Sequence, residues 1–133
     1  MSTIAAHLTQ PATRRAPAAA GAAAFALVAL IHLLDGPGLL AENSAIGLLE
    51  LALAAAAAPL ALALVIQSVR DVWTAAGALC FVALGFYVAS RTVGLFGSTD
   101  DIGNWWTTLG VLNVASELAV IGLAAHALFR RQG

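Results

Sequence analysis

His32, Glu50, Arg91, Glu117 and His126 lie inside long apolar runs, which is where ionisable side chains are rarest. A carboxylic acid in apolar surroundings holds its proton more tightly, so it becomes a proton donor or acceptor in the neutral range. An arginine beside it fixes an anionic or carbonyl oxygen, and an imidazole relays protons. On that chemistry Glu117, Glu50, Arg91 and His32 are the candidate catalytic residues, with Glu117 as the proton donor or acceptor and Arg91 holding a ligand oxygen. Helical spacing adds Asn113, one turn before Glu117, and Trp106 at the head of the same stripe. Tyr87 stands one turn before Arg91. Tyr87, Asn113 and Trp106 are the candidate ligand-binding residues.

Other chemistries fit less well. His32, Glu50 and Glu117 offer nitrogen and oxygen donors suited to Fe, Mn or Zn, but a nearby guanidinium disfavours a cation, so no metal ligand is assigned. The residues name no cofactor. Asp100 and Asp101 are adjacent and lack the spaced ligands of a calcium loop. His126, four residues before Arg130, is at the wrong depth to share a haem iron with His32 and reads as an interfacial residue. No phosphate-binding glycine loop, nucleophile elbow or metalloprotease helix occurs.

The elements that position these residues follow from composition. Of 133 residues, 61% are hydrophobic and 10% charged, against about a quarter charged in soluble domains. Most of the surface therefore faces something other than water. A net charge of −1 and the absence of a basic face argue against nucleic acid. Cys80 is the only cysteine, which excludes an intrachain disulfide and makes a buried free thiol the expectation.

A membrane-spanning helix needs about 20 mostly apolar residues. Four segments qualify, at about 17–34, 44–67, 72–96 and 106–129. The expected fold is all-α, an integral membrane four-helix bundle with up-down antiparallel topology over residues 17–133. Residues 1–16, His7 included, read as a flexible cytoplasmic tail. Arg14 and Arg15 precede a run resembling a signal peptide, but no small-x-small cleavage site follows, so the first span is expected to be retained. Pro17 suits a first helical turn, DGPG at 35–38 is expected to break the chain, and Pro59 to kink the second span. SVRD at 68–71 is a tight connection, and GSTDDIGN at 97–104 offers Asp and Asn caps to the fourth span.

Arg14, Arg15, Arg70, Arg130 and Arg131 fall on one side of such a bundle, while Asp35, Glu42, Asp100 and Asp101 fall on the other. The positive-inside rule then places both termini in the cytoplasm of a cell whose plasma membrane holds the chain. Trp105 and Trp106 would mark the outer boundary and Trp73 the inner one. At 1.5 Å per residue Glu117 is about 16 Å below Trp106, near the midplane, with Glu50 about 9 Å and Arg91 about 8 Å below the outer ends of their spans. The polar groups thus gather in the outer half, and the inner half is almost wholly Ala, Leu, Val and Gly. Arg91 is expected to be held by Glu50, Glu117 or both. Two acids against one arginine exceed what a structural ion pair requires.

SRTVGL at 90–95, followed by the acidic loop, the tryptophan pair and a helix with a buried glutamate, resembles small four-span membrane proteins of high-GC bacteria with no assigned function. That resemblance covers the third and fourth spans, about a third of the chain, and transfers no catalytic residue. In size and topology the chain is also similar to the DoxX-like group of quinone-linked membrane proteins.

The leading expectation is an outward-opening polar pocket that binds a lipophilic small molecule, such as a quinone or isoprenoid, and is equipped for acid–base chemistry on it; catalysis and binding alone both fit. The rivals are an accessory subunit or homo-oligomer whose buried charges pair with another chain of a membrane complex, and a metal-binding membrane protein.

Overall fold

A computed structural model describes residues 12–130, with side chains from residue 16 onward. Four helices account for most of it: α1 (Ala12–Glu42), α2 (Ser44–Ile66), α3 (Arg70–Thr92) and α4 (Thr108–Phe129). All four are long and apolar enough to cross a membrane. The expected tail falls on residues 1–11, outside the described residues, and on the first turn of α1.

Each helix has two neighbours: α1 packs on α2 and α4, and α3 on α4 and α2. Apolar residues surround every helix, so no amphipathic stripe marks the inward face. Small residues mark it instead. Gly47 lies so close to the backbone of Leu40 that a Cβ there would collide with main chain, and Gly36 is seated against Leu51. Gly77 meets Ala124, and Gly110 faces the Tyr87 ring. Close backbone approach of this kind is how helices associate where lipid removes the hydrophobic drive between them.

Two expectations about α1 are corrected. Pro17 lies inside the helix, past the first turn that begins at Ala12. The DGPG segment does not end the helix, which runs through Pro37 to Glu42. An internal proline deletes one backbone donor but leaves the rest of the ladder, and burial of Gly36 on Leu51 holds the segment in place. Asn43 is the one non-helical residue before α2 begins, and its Oδ1 accepts from the amides of Ala45 and Ile46 at 3.1 and 3.3 Å. α2 carries Pro59 within its length.

The core at the end of the bundle holding the start of α3 is apolar, built on Phe25, Leu64, Trp73, Ala76, Cys80 and Val120. Cys80 is a buried free thiol, as expected. Trp73 points into this core and not outward as a belt residue would. It is 1% exposed, its ring abuts Gly21, and its Nε1 donates to Ser68 Oγ at 2.8 Å. Once that partner satisfies the indole N–H, burying the large ring is favourable.

α3 stops at Thr92, four residues earlier than expected, because Gly94 and Gly97 adopt positive φ and Leu95 and Ser98 exchange backbone hydrogen bonds. Capping of α4 falls to Thr107, whose Oγ1 accepts from the Gly110 amide at 3.2 Å, and not to the Asp or Asn residues of the preceding loop.

Candidate functional site

His32 of α1 sits on an internal face and is only 3% exposed. Its Nδ1 donates to Glu50 Oε2 from α2. Its Nε2 lies 3.5 Å from Glu117 Oε1 of α4. Glu117 is fully buried and accepts at the same oxygen from Asn113 Nδ2, one turn earlier, at 3.0 Å. One imidazole therefore bridges two carboxylates contributed by different helices. Glu117 Oε2 and Asn113 Oδ1, both acceptors, are buried with no hydrogen-bond partner among the described residues.

A partly open cavity of about 100 Å³ adjoins this cluster. His32, Asp35, Glu50, Tyr87, Arg91 and Asn113 all line it. Asp35 is three residues after His32, on the same helical face, and enters the site only because α1 does not break at DGPG.

Arg91 is placed otherwise than expected. Its Nη1 pairs with Asp101 Oδ1 at 2.5 Å, and neither Glu50 nor Glu117 holds it. The loop after α3 causes this. Gly103, at φ 81°, donates its amide to the Arg91 carbonyl at 2.8 Å, which folds the loop back and brings Asp101 over the end of the helix. The guanidinium also lies 4.8 Å from the centroid of the Tyr87 ring, a cation–π geometry. Tyr87 in turn donates its hydroxyl to the Trp105 carbonyl at 2.9 Å and meets the Trp105 ring edge-on.

The chain matches no family model, no curated protein and no solved structure.

Its chemistry is accordingly read from its own residues. Six of the seven sequence-derived candidates, His32, Glu50, Tyr87, Arg91, Asn113 and Glu117, come together at or beside the cavity. Trp106 does not. It precedes α4, is 88% exposed, and belongs to no helical stripe with Asn113. Asp35 and Asp101 are lining residues that sequence reasoning assigned to a turn and a cap. Their one legible signal was spacing: Asp35 at a helical interval from His32, and an acid ten residues after Arg91. Among the described residues, no three His, Cys, Asp or Glu side chains are grouped to hold a metal ion.

A carboxylate–imidazole–carboxylate chain supports proton exchange. Nδ1 carries its hydrogen toward Glu50, so Nε2 is the position at which the ring gains or loses a proton against Glu117. The acceptors left over at Glu117 and Asn113 add capacity for a donor-bearing guest.

Proposed function

We propose that this is a multi-pass plasma-membrane protein, an up-down antiparallel bundle with both termini cytoplasmic, whose polar cavity binds part of a lipophilic small molecule and exchanges protons with it. One observation carries the reading: His32 bridges Glu50 and Glu117 beside a cavity while buried acceptors remain unpaired. An ion pair serving stability alone has no need of a second acid or of a void. Side chains lining small-ligand sites follow this pattern, a few convergent polar groups in an apolar surround.

The size of the cavity narrows the guest. At about 100 Å³ it takes a headgroup and not a whole quinone or isoprenoid, for which sites of roughly 300–1,000 Å³ are usual. The apolar remainder of the ligand lies in the bilayer. Glu117 and His32 form the proton-exchanging pair, Glu50 orients the ring, and Arg91, Tyr87 and Asn113 surround the guest.

Native mass spectrometry of protein extracted gently from its own membrane tests this. A bound small mass, lost in Glu117→Gln while the chain still inserts, is the expected result. A bare chain, or one observed only with a second protein, refutes the pocket and favours an assembly subunit.

A further inference from the structure

The charges around the cavity are unequal. α1 supplies Asp35 and His32, α2 supplies Glu50, α3 supplies Arg91, the following loop supplies Asp101, and α4 supplies Glu117 through its contact with His32. Four carboxyl groups thus face one guanidinium and one imidazole. Arg91 is already engaged by Asp101 and by the Tyr87 ring, so its charge is directed at the loop. Of the buried side-chain atoms without a hydrogen bond, Glu117 Oε2 and Asn113 Oδ1 are acceptors and Arg91 Nε and Nη1 donors, with Nη1 ion-paired to Asp101 and His32 Nε2 facing Glu117. Asn113 is 6% exposed and lines the cavity, and its Oδ1 is a fixed acceptor whatever the protonation of its neighbours.

We infer that the headgroup taken by this cavity is a protonated amine, so that the ligand is an amphiphilic ammonium compound with its N–H groups directed at Asn113 Oδ1 and the Glu50 carboxylate, and Glu117 behind them adding negative charge. An ammonium centre brings positive charge, which the three carboxyl groups beyond the Arg91–Asp101 pair share only with His32, and donors for the acceptors on Asn113 and Glu50. A carboxylate or phosphate headgroup would meet four acids and one arginine already neutralised. A neutral alcohol would satisfy one acceptor and leave the excess of negative charge as it was. The volume agrees, since a primary ammonium group with its adjoining methylenes fits a cavity of about 100 Å³. The inference rests on the reading of the cavity as a ligand site and adds the sign of the ligand's charge.

The test uses the full chain in phosphatidylcholine nanodiscs and three probes that share one tail: dodecylamine, dodecanol and dodecanoate. At about pH 8 the amine is cationic and the acid anionic. Saturable binding above that of protein-free discs is measured for each. Dodecylamine is expected to bind at least about tenfold more tightly than dodecanol, and dodecanoate more weakly than either. In Glu117→Gln and Glu50→Gln the preference for the amine over the alcohol is expected to vanish, with dodecanol binding retained as the control for an intact cavity. Should either variant lose dodecanol as well, the selectivity of the wild-type protein decides alone. Equal binding of amine and alcohol, or a preference for dodecanoate, overturns the ammonium inference and leaves the pocket standing. If no probe saturates, the pocket reading falls with it.

Discussion

Replacing Glu117 by methionine separates a side chain kept for chemistry from one kept for folding. Glu117 is fully buried, with one oxygen shared between Asn113 Nδ2 and His32 Nε2 and the other unpaired. His32 keeps Glu50 as its partner when Glu117 is removed, so no buried charge is left uncompensated and the desolvation penalty of the Glu117 carboxylate, several kcal/mol for a buried ion, is relieved. Against that stands the Asn113 amide, which loses its acceptor at a cost of about 1–3 kcal/mol. Glu117→Met alone is therefore expected to lie near neutral. The pair Asn113→Leu/Glu117→Met removes the orphaned amide as well and is expected to be more stable than the wild type by about 1–4 kcal/mol, while losing ligand. Reversible unfolding by SDS in mixed micelles, followed by tryptophan fluorescence, gives the difference directly. A double variant less stable by about 3–5 kcal/mol, the range for breaking a required buried pair, would refute the reasoning and make the cluster a structural clasp.

Gly47→Ala is expected to destabilise by about 1–3 kcal/mol, because the new methyl meets the Leu40 backbone. Gly85→Ala and Gly122→Ala, where nothing lies within 4 Å, are expected to be neutral or stabilising by up to about 1 kcal/mol. The same unfolding assay ranks them, and equal effects at the three sites would contradict the close approach of α1 and α2. Breaking the Arg91–Asp101 pair by Asp101→Ala is expected to cost less than about 1 kcal/mol globally, since the acid is 44% exposed, yet to speed hydrogen exchange at the Gly103 amide; unchanged exchange there would show that the loop is held without the ion pair. Phe96, at φ 48°, occupies a left-handed conformation that disfavours its side chain, so Phe96→Gly is expected to stabilise the loop by about 1 kcal/mol, and a loss of stability would show that the ring contributes more than the strain.

The four helices were legible because uninterrupted apolar length is a strong signal that packing need not modify. The convergence of His32, Glu50 and Glu117 was legible for a related reason: polar groups in such helices turn inward, and depth follows from residue number alone. What sequence missed was local. DGPG carries two of the strongest breaking residues, yet tertiary contact between Gly36 and Leu51 overrides them, and with the break expected there Asp35 lost its place beside His32. Arg91 was assigned to the nearest acids by depth, whereas the glycine turns at 94, 97 and 103 bring Asp101 to it from the loop. Reversal of a chain by positive-φ glycines sets partners that no linear count of depth reveals. Trp73 shows the limit of position as a guide, since an indole at a helix end becomes core once a serine five residues earlier accepts its N–H.

The unbroken course of α1 also sets a relation with the surrounding lipid. Its span of 27 residues from Ala16 to Glu42 extends about 40 Å at 1.5 Å per residue, against about 33–35 Å for each of the other three helices. Hydrocarbon thickness in bilayers is about 30 Å. In a membrane matched to α2, α3 and α4, α1 must therefore lean or carry an end into the headgroup layer. The His32–Glu50 hydrogen bond transmits any such lean to α2. Thinner and thicker bilayers then present this cluster with different tilts of the helix that holds its imidazole, which makes lipid chain length a variable of the site.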